Sequence, residues 1–250
     1  MKRKLRRKQL LSMVLSAALI LIQIPPVSAN QQVESSSVIV LSGVTDKVTV
    51  TTTKQFMDAL ERREPNIVVS GLITIGQKAD SDGSMLPVMI PEGTTIEGVS
   101  GGTLNCRCPI QLEGDGVIFQ NMGLQFESSD ALNSVPHREI FLAGHELILD
   151  NVDTYLEGSG GSLGPLGGSE AELLPSVFAG GYKNTSVGSN AVLTIRNSNS
   201  KTIFQDIYMG HGAGRYQNVP YEGDVEVNLD NLVAVRGGVY TDQNRSAEIL

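Results

Sequence analysis

The chain has 250 residues, is 40% hydrophobic but only 5% aromatic, and carries a net charge of −8. An acidic surface repels phosphate backbones, which argues against nucleic acid or anionic lipid as a partner. Two cysteines are too few for a zinc site, and 27 glycines with no tryptophan suit a β architecture of many tight turns.

The first residues read as a targeting segment. Lys2, Arg3, Lys4, Arg6, Arg7 and Lys8 form a basic region, and Leu10 to Ile24 is uncharged and mostly apolar. Pro25-Pro26 then precedes Val27-Ser28-Ala29, a small-residue cleavage site. The competing reading is an uncleaved anchor, but the apolar run is shorter than the ~20 residues a bilayer span needs. Residues 1–29 are therefore assigned as a signal peptide, and no membrane insertion is expected after its cleavage. The remainder has 13 basic against 27 acidic residues, a net charge of −14. The expected location is secreted or extracellular, with the cell wall as an alternative. No cofactor is required by any motif, although Ca²⁺ is a candidate for so acidic an exported chain.

Residues 30–47 are read as a flexible leader, polar and Ser-rich as far as Ser42. From Val48 the pattern tightens. Thr52-Thr53-Lys54-Gln55 has the form of a capping box, with Thr52 as N-cap and Gln55 at the third helical position. Phe56, Met57 and Leu60 fall on one helical face, Asp58, Glu61, Arg62 and Arg63 lie on the other, and Pro65 ends the helix. Such a helix would cover the open apolar end of the segment C-terminal to it.

That segment is built on a repeated phrase. Alternating apolar residues meet a Gly-containing break, and a second alternating run then ends at or near Asn. Ile110-Gln-Leu-Glu-Gly-Asp-Gly-Val-Ile-Phe-Gln-Asn121 and Ile140-Phe-Leu-Ala-Gly-His-Glu-Leu-Ile-Leu-Asp-Asn151 are the clearest copies. Ala191-Val-Leu-Thr-Ile-Arg-Asn197 and Asp224-Val-Glu-Val-Asn-Leu-Asp-Asn231 are looser ones. Self-similarity of this kind predicts a stacked solenoid, each coil burying its apolar face on its neighbours. The helix, a strand ending Val68-Val69-Ser70-Gly71, then Ile90-Pro-Glu-Gly-Thr-Thr-Ile-Glu-Gly98 and Val117-Ile-Phe-Gln-Asn-Met-Gly-Leu-Gln-Phe126 resemble the N-terminal region of pectate-lyase-like right-handed parallel β-helices. The resemblance covers Val48 to Phe126 well and the later coils in rhythm alone. It implies an all-β fold, a right-handed parallel β-helix over residues 48–250 with an N-terminal amphipathic capping helix, and coils of three short parallel strands.

Asn tolerates left-handed backbone, and its amide can hydrogen-bond to a stacked neighbour. Asn121, Asn151, Asn197 and Asn231 are accordingly expected to be structural turn residues. Loops of uneven length separate the coils at 127–139, 157–175, 180–190 and 210–223, and the Gly-Gly pairs at 180–181 and 237–238 read as turns. Cys106 and Cys108, two apart on a strand, would have Cα atoms roughly 6.6 Å apart. That is the upper edge of disulfide geometry and leaves two readings, a strained bridge or two buried thiols.

The resemblance does not extend to the chemistry. Pectate lyases use Ca²⁺-binding aspartates and an R-x-P-x-x-R motif; here Arg63-Glu64-Pro65 is the sole R-x-P, and its sixth position is Val68. The residues that could otherwise support polysaccharide cleavage are Asp150, Asp153 and Glu157 beside His145, with His211 and Arg215 in a Gly-rich stretch. A lyase needs a base for the proton α to a uronate and cations for its carboxylate, and a glycosidase needs two opposed carboxyls. Asp150 and Asp153 are the candidates for Ca²⁺. Gly210-x-Gly-x-Gly214 lacks the Lys and the strand–helix setting of a nucleotide loop.

The second half, with Val177-Phe-Ala-Gly-Gly-Tyr182 and Asp206-Ile-Tyr-Met-Gly-His-Gly212, resembles the Gly-rich repeats of bacterial cell-surface proteins. The expected function is a secreted or cell-surface binding module, carbohydrate-interacting or adhesive, with a polysaccharide lyase or hydrolase as the alternative. The expected partner is a polysaccharide or cell-surface glycan. No C-terminal cap is evident near Val239-Tyr240, which suggests either self-association at the last coil or a continuation in a longer protein. N-terminal sequencing of the exported protein should find Asn30 as the first residue; a start at Met1 would mean an uncleaved anchor.

Overall fold

The computed structural model describes residues 46–76, 85–126, 138–155, 174–185, 188–209 and 221–240. The chain divides into two units, Met1–Gly43 and Val44–Leu250, and every described residue belongs to the second. The signal peptide and nearly all of the leader therefore lie outside the described residues.

Two parallel sheets dominate. The larger contains β1 (Val48–Val50), β2 (Asn66–Ile75), β4 (Thr95–Cys106), β6 (Val117–Phe126), β8 (Glu146–Asp153), β10 (Asn190–Arg196) and β12 (Asp224–Leu229), in that spatial order. The smaller contains β3 (Val88–Ile90), β5 (Ile110–Leu112), β7 (Glu139–Phe141), β9 (Ser176–Phe178), β11 (Ile203–Tyr208) and β13 (Ala234–Tyr240), also in chain order. From β2 onward the chain alternates between the sheets, so each strand pairs with the next but one.

Register turns the alternating pattern into apolar columns. Ile67, Ile96, Phe119, Leu149 and Ile195 are successive partners across the large sheet, as are Val88, Ile110, Ile140, Val177 and Ile207 across the small one. All ten are at most 2% exposed and belong to one continuous core. Each such side chain contributes roughly 1.5–3 kcal/mol by leaving water. Cys106 and Cys108 are buried in this core as thiols with no disulfide between them, which decides between the two readings. Burial pushes the Cys106 thiol well above its usual range, and the neighbouring Cys108 adds to the shift.

The long strands differ from the expected coils of three short ones. β4 and β6 are each continuous but bend in the middle, and pairing register slips there. The bend is made by left-handed backbone: Gly71 (φ 78°) in β2, Ser100 (φ 51°) in β4, Asn121 (φ 54°) in β6 and Asn151 (φ 54°) in β8. Asn197 (φ 52°) follows the end of β10 in the same column. Asn151 Nδ2 donates to Asn121 Oδ1 at 3.0 Å, so the two amides stack across the pair of strands. Asn231 sits in the turn after β12 but lacks the positive φ of the others. Its neighbour Asp230 organises that turn, accepting from the Ser198 hydroxyl at 2.5 Å and from the Leu232 N–H at 2.9 Å. The Ser198 hydrogen bond is the first reason that the Asp230 carboxyl is held below its ordinary range.

The Gly of the repeated phrase has its own task. Gly144 (φ 78°) turns the chain from β7 into β8, as Gly116 does between β5 and β6, in a conformation that costs an L side chain strain. Gly180-Gly181 lies in a turn after β9. Gly237-Gly238 does not: the pair sits within β13, opposite a register shift in β11, because a Cβ at 237 would collide with the Asp206 carboxylate.

The helix α1 (Thr53–Glu61) joins β1 to β2, so one strand precedes it. Thr52 Oγ1 caps it by accepting from the Gln55 N–H at 3.3 Å. Gln55 reaches back to the Thr51 N–H at 2.9 Å, one residue earlier than a capping box predicts. Phe56, Ala59 and Leu60 are buried in the core, and Met57 is only partly covered. Ala59 rather than Met57 completes the face because positions three and four apart align on a helix.

A valine at 151 would be held in left-handed backbone, at a cost of about 1–3 kcal/mol. Urea unfolding of Asn151→Val should show that loss, while Asn151→Gly should lose only the amide contact, about 1 kcal/mol. Equal losses would mean that backbone strain is not what selects Asn here.

Candidate functional site

Strand alternation places Asp150 on the outer face of the large sheet. Its carboxylate is engaged there. Arg196 Nε donates to Asp150 Oδ2 at 2.8 Å and Asn197 Nδ2 donates to Oδ1 at 2.6 Å. Asp153 Oδ1 likewise accepts from Asn199 Nδ2 at 2.6 Å. Both candidate acids thus act as hydrogen-bonded rungs between β8 and the chain just after β10. Glu157, His211 and Arg215 lie outside the described residues. Among the described residues no three His, Cys, Asp or Glu side chains stand close enough to share a metal ion.

His145 is separated from Asp150 by the straight part of β8, about 16 Å at ~3.3 Å per residue. It has a different partner. His145 Nδ1 lies 3.2 Å from Asp115 Oδ1, which also accepts from the Glu146 N–H at 3.1 Å. A carboxylate oxygen only accepts, so Nδ1 carries the hydrogen and, in the neutral ring, Nε2 is the bare nitrogen. Nε2 is buried and has no hydrogen-bond partner among the described residues. The pair ties the β5–β6 turn to the β7–β8 turn, and Asp115 was invisible as its partner because 30 residues separate them.

These turns border a hollow of about 570 Å³ on the outer face. Asp115, Gly144 and His145 line one side, Gly188 to Asn190 another, and the strand side chains Glu146, Val192, Thr194, Glu226 and Asn228 line the rest. Register explains the layout: Glu146, Val192 and Glu226 form one row across β8, β10 and β12, with Ile148, Thr194 and Asn228 in the next. Asn228 Nδ2 donates to Glu226 Oε1 at 2.7 Å and to Thr194 Oγ1 at 3.3 Å. The volume is within the usual range for small-molecule sites, but the lining is polar.

On the small sheet, the side opposite the core carries an aromatic ladder. Phe141, Phe178, Tyr208 and Tyr240 are register partners, with neighbouring ring centroids 5.3, 4.9 and 4.9 Å apart. Tyr182 meets Phe141 edge-on at 5.9 Å. Exposure rises along the ladder, from 0% at Phe141 to 45% at Tyr240. Sequence reasoning missed it, although an aromatic closes each of these four strands in a chain with only six Phe and six Tyr.

No protein-family model, curated protein or solved structure matches the chain.

Burial, reinforced by the neighbouring Asp206 carboxylate and by Tyr240, pushes the Tyr208 phenol up to about 12. An acid whose folded pKa is raised makes stability fall as pH rises from its unfolded value, ~10, through its folded one. Tyr208→Phe should therefore lose less stability than the parent between about pH 10 and 12. Identical alkaline melting curves for the two proteins would contradict this assignment.

Proposed function

We propose that the two sheets are faces of one right-handed parallel β-helix, capped by α1, and that the protein is an exported or cell-surface module that binds carbohydrate. The alternation of the chain between two sheets, each in sequence order, supports the β-helix reading, as does the resemblance of residues 48–126 to pectate-lyase-like folds. Location rests on the signal peptide, and self-association at β12 and β13 remains part of the proposal.

The observation that carries binding over cleavage is the state of the β8 acids. Asp150 and Asp153 are bonded to Arg196, Asn197 and Asn199 instead of converging on open space. Around them the outer face offers amides, hydroxyls and carboxylates at fixed strand spacing, the groups that hydrogen-bond sugar hydroxyls. A rigid sheet presents them with little ordering cost.

The alternative, a polysaccharide lyase or hydrolase, is favoured by one feature. His145 is oriented by Asp115 at the edge of the hollow, which is how a general base is held. Two measurements separate the readings. A glycan array and a cell-adhesion assay should register binding, and loss of both would defeat the binding module. An ultraviolet assay for unsaturated products across acidic polysaccharides, with and without Ca²⁺, should stay flat; product formation abolished in His145→Gln would establish the enzyme instead.

A further inference from the structure

Charge at the hollow is uncompensated. Elsewhere on the same sheet face carboxylates meet cations, Lys47 with Glu97 at 2.6 Å and Arg196 with Asp150 at 2.8 Å. The hollow is lined by Asp115, Glu146 and Glu226, and no Lys or Arg among the described residues lines it. Among the described residues the Asp115 carboxylate meets His145 and a backbone N–H, and Glu226 accepts from the neutral amide of Asn228. Among the described residues the Glu146 side chain has no hydrogen bond. A second, independent observation lies in the wall. His145 is nine-tenths buried, and its Nε2 has no partner there.

We infer that the hollow is a subsite for a saccharide bearing a free amine. This rests on the carbohydrate-binding reading and names its ligand class. The cation has to be extended rather than a point ion. The backbones of Glu146 and Glu226 flank Val192 two strands apart, about 9.6 Å at ~4.8 Å per strand, and among the described residues no three His, Cys, Asp or Glu side chains could hold one metal ion. An amine-bearing pyranose reaches across that gap, placing its ammonium by one carboxylate and its hydroxyls by Thr194 and Asn228. The same charges repel uronates, so the acidic polysaccharides that lyases cleave are disfavoured at this point of the surface.

The probes are glucosamine oligomers and their N-acetylated counterparts, compared by calorimetry at low and high salt. The amine form should bind about threefold tighter at low salt, the size of one exposed charge contact, and salt should erase the difference. The Glu146→Gln, Glu226→Gln double variant should lose that preference; both side chains are on the surface, and an unchanged melting temperature would show that the fold is intact. If both oligomers bind equally, or if the preference survives in the double variant, the hollow is not the subsite although the binding module stands. If no saccharide binds in any arm, both the subsite and the reading beneath it are overturned.

Discussion

From β2 onward, every strand finds its hydrogen-bond partner in the next strand but one, and this in-register parallel pairing is the constraint on which the rest depends. Parallel strands need a crossover, and here each crossover is a passage through the other sheet. The chain must therefore turn at the same place in successive repeats. Left-handed residues perform those turns in columns, Gly71, Ser100, Asn121, Asn151 and Asn197 at one corner and Gly93, Gly116 and Gly144 at another. A corner displaced by one residue would flip the next strand and expose its core column.

Stacking also decides what the surface can do. Equivalent positions on neighbouring strands stand about 4.8 Å apart, so any outward side chain has a neighbour above and below. Acids placed there are drawn into ladders, as Asp150 is with Arg196 and Asn197, and become structural. Aromatics pack on their register partners, which buries Phe141 and Phe178 and leaves Tyr240 exposed at the end of the ladder. The regular ladders are interrupted at a few places. The hollow is one, where Gly188 to Asn190 and the Asp115–His145 pair border the regular rows.

Much of the fold was legible because it is local or periodic. Thr52 and Gln55 announced the helix start, and the Gly-containing break with its trailing Asn announced two corners of the repeat. The corner column itself was only half legible, since Ser100 and Gly71 fill it as well as Asn does. Gly237-Gly238 misled because a Gly pair usually marks a turn, whereas here it makes room for Asp206 on the neighbouring strand. The candidate site was less legible still. Asp150 and His145 share a short stretch of sequence, but His145 lies just before β8 and Asp150 at its bend, and the partner of His145 is Asp115 on the preceding repeat.

The sequence by itself determined the β class, the capping helix, the repeated rhythm and the acidic charge, because each comes from composition or from spacings of a few residues. Tertiary structure alone decided which side chains share a row. Register between strands 30 to 46 residues apart sets whether an acid meets an arginine, a histidine or another acid. Short-range pattern carries no record of that pairing, since it is the alignment of whole repeats that brings the side chains together.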